Sequence, residues 1–267
     1  MKLLLKKIII AAFVICTGCT SHKESSLSSQ SMLAVNWIQQ SGEYDALSWQ
    51  AFNIAQYIYD TSKVPAGKNK AVIVDIDETV LNNSAYQAWL VKNNETYDEK
   101  TWLAWVHDRQ ATAMPGAEEF AKHVIATGGR IFYITNRDAS AYNSTAENLR
   151  NQGFPDITPE TLLPMMSNTS DKAERIEHVI QKGYIPVVYI GDNLNDFSSE
   201  TYQKDNNERR NFVIRNNKKF GTKFIILPNP SYGDWEGGLD KNYWKVTPEE
   251  RKQIRYNNLR PWLRSSK

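Results

Sequence analysis

The stretch Ala71-Val-Ile-Val-Asp75-Ile-Asp77-Glu-Thr79-Val-Leu81 decides the fold of this chain. Four apolar residues lead into two acids that are spaced two apart. In an extended segment residues i and i+2 point the same way, so Asp75 and Asp77 are expected to leave the carboxyl end of a buried strand together. Ligand sites of open α/β sheets lie at that end. Two carboxylates there repel each other unless a cation joins them, which indicates a functional site.

Strands alternate with helices along the rest of the sequence. Strands are predicted over 71–76, 131–134, 186–190 and 223–227, and helices over 32–59 with a break at Gly42, 116–126, 141–152 and 171–181. This alternation predicts an α/β fold, a Rossmann-like parallel sheet with helices on both faces. An aromatic, mostly helical insert over residues 82–113 is predicted to form a small cap on the single domain of residues 32–267.

The first 18 residues have the pattern of a bacterial lipoprotein signal peptide. Three lysines precede an apolar run over 8–15 that is too short to span a bilayer. The run ends at Ile15-Cys16-Thr17-Gly18-Cys19, which predicts cleavage before Cys19 and attachment of lipid, palmitate included, to its thiol. The alternative is an ordinary signal peptide with incidental cysteines. Residues 19–31, which are rich in serine, are predicted to form a flexible tether.

Charge and cysteine content exclude several classes of protein. Removal of residues 1–18 takes three lysines and no acids from the 32 Lys+Arg and 30 Asp+Glu, so the net charge becomes −1. No basic stripe indicates a nucleic-acid polymer as partner. Both cysteines of the chain lie in or beside the signal, so the folded domain is predicted to have neither a disulfide nor a cysteine metal site.

Further polar residues follow the other predicted strands. Thr135 follows the second strand, Asp192 and Asp196 follow the third, and Lys172 begins the helix before that strand. Parallel strands place all of them at one edge of the sheet. Clustered carboxylate oxygens suit Mg²⁺, and a lysine beside the ion gathers positive charge where a phosphate could bind.

These residues resemble the four ordered motifs of the haloacid dehalogenase superfamily. The motifs are Asp75-Ile-Asp77-Glu-Thr79, Thr135-Asn136, Lys172 and Gly191-Asp192-Asn-Leu-Asn-Asp196. Segments 37–44, 220–221 and 232–238 narrow the resemblance to class C acid phosphatases of the bacterial lipoprotein e(P4) type. One departure is Asn195, where that family is expected to have aspartate.

The resemblance implies a role for each motif residue. Asp75 is expected to be the nucleophile that forms an aspartyl-phosphate. Asp77 is expected to protonate the leaving oxygen and later to activate water. Thr135, with the backbone N–H of Asn136, would hold phosphoryl oxygens, and Lys172 would neutralise them.

The same resemblance implies a metal site. Asp75, Asp192 and the main-chain carbonyl of Asp77 are expected to bind Mg²⁺. Asp196 would act through a metal-bound water or by orienting Lys172. The plainer interpretation of Asp196 is that of an acid at a helix N-terminus.

The resemblance also implies that Trp102 and Tyr232 flank an aromatic leaving group, such as the base of a nucleoside 5′-monophosphate. The alternative is that each ring packs in the core. The four histidines, His22, His107, His123 and His178, have no spacing that indicates a metal site.

Together these features predict a magnesium-dependent acid phosphatase that is anchored by lipid to the bacterial outer membrane. Small phosphomonoesters, nucleotides above all, are the expected substrates, and a homodimer is left open. Two alternatives remain at this stage. One is a surface lipoprotein that binds haem or nucleotide and whose phosphatase motifs are idle, and the other is a phosphotransferase that uses the same Asp75 intermediate.

Overall fold

The computed structural model describes residues 26–166 and 169–263. The predicted signal peptide over 1–18, the lipidation site Cys19 and His22 therefore lie outside the described residues. Within the described ranges, no helix is both long and apolar enough to cross a membrane.

Five parallel strands form the central sheet, in the order β5-β4-β1-β6-β7. A separate antiparallel pair is formed by β2 and β3. The strands are β1 Asn69–Val74, β2 Leu81–Asn82, β3 Thr112–Ala113, β4 Arg130–Asp138, β5 Leu162–Met165, β6 Tyr184–Gly191 and β7 Phe224–Ile226. The prediction of an α/β fold with a parallel sheet is confirmed.

Helices cover both faces of this sheet. They are α1 Met32–Gln40, α2 Gly42–Thr61, α3 Ser84–Asn93, α4 Glu99–Asp108, α5 Ala117–Ala126, α6 Tyr142–Asn151, α7 Ala173–Gln181, α8 Asn206–Arg215, α9 Asp234–Gly237 and α10 Pro248–Asn257. Short 3₁₀ turns include Ser28–Ser31 and Leu194–Asp196. Ser41 is extended and separates α1 from α2, and its hydroxyl accepts a hydrogen bond from the N–H of Tyr44 at 3.2 Å.

The central strand shows why both faces must be covered. Val72 and Val74 point into a core shared with α2, α5 and α6, whereas Ala71 and Ile73 point into a second core shared with α7 and α8. All four side chains are buried. A strand that is apolar on both faces is stable only between two layers of helices, and its polar continuation is therefore confined to the end of the strand.

The insert between β2 and β3 consists of α3 and α4, which matches the helical excursion predicted for residues 82–113. Its aromatic rings pack on one another around Tyr86. The ring of Tyr86 lies 5.3 Å from that of Trp102 and 6.4 Å from that of Trp105, measured between centroids. Because β2 directly follows the Asp75 motif, the insert begins beside the predicted site.

The flexible tether was predicted to extend to residue 31, but its last residues belong to the folded domain. Residues 28–31 form a 3₁₀ turn, and the side chain of Leu27 is buried. Arg255 of α10 donates hydrogen bonds to the carbonyl of Leu27 at 3.4 Å and to the side chain of Gln30 at 3.0 Å. The folded part of the chain therefore includes Leu27, whose leucine side chain is the one large apolar group in an otherwise polar segment.

Three elements gave no clear signal in the sequence. Strand β5 lies at the edge of the sheet and contains Pro164, which an edge strand tolerates. Helix α8 buries only Arg209 and Phe212, and no residue of α10 is buried. Without an apolar stripe, neither helix shows the 3.6-residue periodicity on which such predictions depend.

Candidate active site

The acid pair follows the central strand at its carboxyl end, as predicted. The N–H of Asp75 donates to the carbonyl of Ile190 in β6 at 3.0 Å, which extends the sheet by one residue. The chain then turns sharply, with the N–H groups of Val80 and Leu81 both 2.9 Å from the carbonyl of Ile76. Glu78 has a φ of 58° in this turn, an uncommon conformation for a non-glycine residue. The turn brings Thr79 back onto Asp75.

Asp75 lies in a buried cluster of charged groups. The ammonium of Lys172, which stands at the N-terminus of α7, contacts the Asp75 carboxylate and lies 2.7 Å from Asp196. The hydroxyl of Thr79 donates to the other Asp75 oxygen at 3.2 Å. Burial raises the pKa of Asp75 to about 7, although Lys172 opposes the shift. Burial also disfavours the charge on Lys172, but Asp196 and Asp75 outweigh it and raise the pKa of that ammonium.

Asp192 completes a group of three carboxylates. One oxygen each from Asp75, Asp192 and Asp196 lie within 4.8 Å of one another. Burial raises the pKa of Asp192 well above its ordinary range, and Asp196 and Asp75 add to that effect. The side-chain amide of Asn229 donates to Asp192 at 2.9 Å. One ammonium against three clustered carboxylates leaves negative charge uncompensated, so this set of hard oxygen donors fits a divalent cation such as Mg²⁺.

The side chain of Asp77 has different partners from that of Asp75. Arg137 donates to Oδ1 of Asp77 from Nη2 at 2.8 Å and from Nε at 3.0 Å. The amide of Asn83 donates to the same oxygen at 2.9 Å. The hydroxyl of Thr135 lies 3.5 Å from the other oxygen. The two acids thus leave the strand together, but their carboxylates are held by separate sets of groups.

The second predicted motif lies beside these acids. Thr135 is completely buried, and its hydroxyl accepts the N–H of Arg137 at 3.1 Å. Asn136 is exposed, and its side-chain oxygen accepts from Arg175 at 2.8 Å. Arg175 also donates to the carbonyl of Thr135. The motif therefore places one hydroxyl inside the site and one amide at its rim.

Asp196 shows both of the features weighed for it. Its carboxylate accepts the N–H of Asn193 at 2.9 Å and so caps the 3₁₀ turn, while its other oxygen holds Lys172. A Cβ at Gly191 would collide with this carboxylate, so only glycine allows the approach. Asn195, which departs from the family pattern, donates its amide to Asp234. An aspartate at that position would face Asp234 with like charge.

Each of the two predicted aromatic residues has a polar partner at the Asp77–Glu78 segment. The ring of Trp102 lies 5.7 Å from the guanidinium carbon of Arg137. The hydroxyl of Tyr232 donates to Glu78, whose pKa is raised to about 8 by burial and by the nearby charge of Asp77. Tyr232 and Asp192 also line a cleft of about 270 Å³. Both rings are half-buried.

Several polar residues of this site were not predicted from their sequence positions. They are Glu78, Asn83, Arg137, Arg175 and Asn229. Arg137 directly follows Thr135-Asn136, which is the one signal by which it could have been found. Two of the described histidines have partners outside the predicted motifs, since His107 bonds Ser144 and His123 bonds Asp60.

Comparison with known proteins identifies the family. The model of "HAD superfamily, subfamily IIIB (Acid phosphatase)" matches residues 17–235. The chain belongs to this family of acid phosphatases, and the resemblance to the haloacid dehalogenase superfamily is confirmed.

Solved structures agree with this assignment. The class C acid phosphatase from Bacillus anthracis is 36% identical, with a TM-score of 0.84 over 88% of this chain and 99% of that one. A crystal structure of the B. anthracis class C acid phosphatase with tungstate bound gives a TM-score of 0.83 at the same identity and coverage.

Two plant proteins are more distant relatives. "Acid phosphatase 1" of Solanum lycopersicum is 29% identical over 137 residues, 49% of this chain and 54% of that protein. "Stem 31 kDa glycoprotein" of Glycine max is 26% identical over 181 residues, 66% of this chain and 65% of that protein. The chain thus spans between half and two thirds of the length of these curated relatives.

Proposed function

We propose that this protein is a magnesium-dependent phosphatase that hydrolyses phosphomonoesters through an aspartyl-phosphate on Asp75. The observation that carries the proposal is the contact of Lys172 with Asp75 inside a group of three carboxylates. A nucleophile, a fixed cation and acidic metal ligands are the parts that phosphoryl transfer requires.

In the first step a carboxylate oxygen of Asp75 attacks phosphorus, and the bond from phosphorus to the leaving oxygen breaks. Asp77 gives its proton to that oxygen, so the alcohol departs neutral. Lys172 and the hydroxyl of Thr135 stabilise the phosphoryl oxygens as the transfer proceeds. Asp75, Asp192 and the carbonyl of Asp77 would hold Mg²⁺, which when bound supplies positive charge against the phosphoryl group and the carboxylates.

In the second step water attacks the phosphorus of the aspartyl-phosphate. Asp77, now a carboxylate, takes a proton from that water, and the bond from phosphorus to Asp75 breaks. Inorganic phosphate leaves, and both acids return to their starting state. Two transfers replace one direct attack by water, and each has its own base or acid in place.

Nucleoside 5′-monophosphates are the proposed substrates. Trp102 and Tyr232 are half-buried aromatic residues whose polar partners, Arg137 and Glu78, lie at the acid pair. Aromatic faces stack on any base, so they provide affinity with little preference among bases. For the location of the protein we propose a lipid anchor on Cys19 and attachment to the outer membrane, which the signal pattern of residues 1–18 supports.

The decisive experiment is turnover of p-nitrophenyl phosphate by purified protein, with Mg²⁺ and with a chelator. Activity that requires the metal and disappears in Asp75→Asn supports the proposal. Acid-quenched protein should carry one phosphoryl group on Asp75 by mass spectrometry. A wild-type protein without turnover, whose ligand binding is unchanged in Asp75→Asn, would show that it is a binding protein. Addition of an acceptor alcohol identifies a phosphotransferase, since the phosphoryl group would then appear on the alcohol.

A further inference from the structure

Arg137 is a buried cation that belongs to none of the four motifs. It is 2% exposed, and its guanidinium is directed at the side chains of the site rather than at solvent. Nε and Nη2 both bond Asp77, and Nη1 lies 3.4 Å from the hydroxyl of Thr145. The planar fork of arginine fixes the orientation of a carboxylate in a way that the single charge of lysine does not.

Asn83 adds a second constraint on the same carboxylate. This residue is completely buried, and its amide donates to Oδ1 of Asp77 at 2.9 Å. The direction of the amide is set from the insert, because the indole N–H of Trp105 donates to the Asn83 oxygen at 2.8 Å. Only the amide nitrogen of Asn83 can then face Asp77.

The two oxygens of Asp77 are therefore unequal. Oδ1 accepts from Nη2 and Nε of Arg137 and from Asn83, at 2.8 to 3.0 Å. Among the described residues, Oδ2 has only the longer contacts, 3.3 Å from Nε of Arg137 and 3.5 Å from the hydroxyl of Thr135. A carboxylate oxygen that already accepts three donors has no lone pair in a good direction for a further proton.

We propose that Arg137 and Asn83 are positioning residues that occupy Oδ1 of Asp77 and so assign proton transfer to Oδ2. This inference rests on the proposed function, because it concerns the acid and base of that reaction. The aromatic insert takes part through two contacts, Trp105 on Asn83 and the ring of Trp102 over the guanidinium of Arg137. The insert thus orients the proton carrier.

The competing role for Arg137 is direct binding of the substrate phosphate. The two roles differ in their kinetic effect. Loss of a phosphate contact raises KM for every substrate, whereas misplacement of a proton donor lowers kcat most where the leaving group most needs a proton. An alkyl phosphate needs it far more than p-nitrophenyl phosphate, whose leaving group is a stable anion.

The test compares kcat and KM for p-nitrophenyl phosphate and glycerol phosphate in Arg137→Lys, Arg137→Gln and Trp105→Phe. We expect Arg137→Gln to lose about 100-fold in kcat on glycerol phosphate and less than about 10-fold on p-nitrophenyl phosphate. KM should stay within about threefold. Arg137→Lys should resemble Arg137→Gln, because it keeps the charge and loses the fork. Trp105→Phe, which removes the indole N–H together with part of the ring, should show the same preference for p-nitrophenyl phosphate, with a smaller loss of kcat.

Arg130→Gln is the matched control, because Arg130 lies at the opposite end of the same strand and pairs with Asp156 at 3.0 Å. It should keep both activities and lose less thermal stability than Arg137→Gln, because Arg130 is partly exposed. Equal losses on the two substrates, or a rise in KM alone, would overturn the inference. If Arg137→Gln does not fold, Trp105→Phe decides, since its failure to discriminate between the substrates is equally fatal. A wild-type protein that hydrolyses neither substrate refutes the proposed function instead.

Discussion

The ammonium of Lys172 lies between two carboxylates, in contact with Asp75 and 2.7 Å from Asp196. All three side chains are buried. Since Asp196 also caps its own turn, its position is fixed from both sides. Lys172 is therefore held in place by Asp196 and presented to Asp75, where a phosphoryl group would arrive.

Lys172→Met should destabilise the protein by about 3–5 kcal/mol, because buried carboxylates would lose their cation. Turnover should fall to background at the same time. Urea unfolding, with and without Mg²⁺, measures the first effect, and the metal should restore part of the lost stability. Lys172→Arg, which keeps the charge, is the control and should retain more of the stability. An unchanged free energy of unfolding in Lys172→Met would contradict this view of the site.

The two acids of the motif should give unequal variants. Asp75→Asn should abolish the phosphoenzyme with every substrate, because no carboxylate oxygen is left to attack phosphorus. Asp77→Asn should still form it with p-nitrophenyl phosphate, since that leaving group needs little protonation, and should accumulate it because water lacks a base. Mass spectrometry of acid-quenched protein distinguishes the two outcomes. Phosphoenzyme in Asp75→Asn would place the nucleophile elsewhere.

Asn229 should set the affinity for Mg²⁺ through Asp192. Its side-chain oxygen accepts from the N–H and the hydroxyl of Ser231, at 3.1 and 2.7 Å, so its amide nitrogen must face Asp192. Asn229→Ala should weaken Mg²⁺ binding about 10- to 100-fold by calorimetry, as loss of a group that orients a metal ligand does. Ser231→Ala, which leaves the amide in place, should change it much less. Equal affinity in Asn229→Ala and wild type would remove Asn229 from the metal site.

The grouping of the proposed catalytic residues could be predicted because each stands near the end of a strand or at the start of a helix. Asp75 and Asp192 follow β1 and β6, and Thr135 lies in the C-terminal half of β4. Parallel strands bring such positions together without any knowledge of distant contacts. The polar groups that orient them were not found. Asn83 and Asn229 belong to no repeated sequence pattern. Their hydrogen-bond partners are known only from the folded structure.

Asn195 is a second case in which the sequence alone did not explain a residue. In the sequence it was only a departure from a family pattern. In the structure its amide donates to Asp234, and its oxygen accepts from Arg209 at 3.1 Å and from Thr201 at 2.8 Å. The contact that favours asparagine at this position comes from Asp234, 39 positions away. A local sequence pattern cannot predict such a contact. The prediction for Tyr232 was likewise incomplete, because the hydrogen bond from its hydroxyl to Glu78 joins distant segments of the chain.

Stability in the absence of metal should fall as the pH rises from about 4 to about 8. The pKa of Asp75 is raised to about 7 and that of Glu78 to about 8, chiefly by burial, and that of Asp192 is raised as well. Between the ordinary and the raised values the folded state binds more protons than the unfolded state, so the free energy of unfolding decreases with pH. Asp138 and Glu250 have lowered pKa values, so they change the free energy of unfolding at lower pH than this window.

Urea unfolding at pH 5 and pH 8 checks this prediction. The difference should shrink with Mg²⁺, which binds the ionised carboxylates and so favours the folded state at high pH. Glu78→Gln should also reduce the difference, because it removes one of the raised acids. Stability that increases from pH 5 to pH 8 without metal would mean that these carboxylates are not held in the environment described.

The aromatic pair should separate nucleotides from small phosphate esters. Trp102→Ala should raise KM for adenosine 5′-monophosphate about 10-fold and leave that for glycerol phosphate nearly unchanged, because stacking contributes about 1–3 kcal/mol per base. Tyr232→Phe keeps the ring and loses the bond to Glu78, so it should lower stability and preserve nucleotide KM. Tyr232→Ala removes both the ring and the bond to Glu78, so it should lower stability and raise the nucleotide KM. If Trp102→Ala and Tyr232→Ala leave nucleotide KM unchanged, the rings serve only to hold Arg137 and Glu78 in place, and the leaving group is recognised elsewhere.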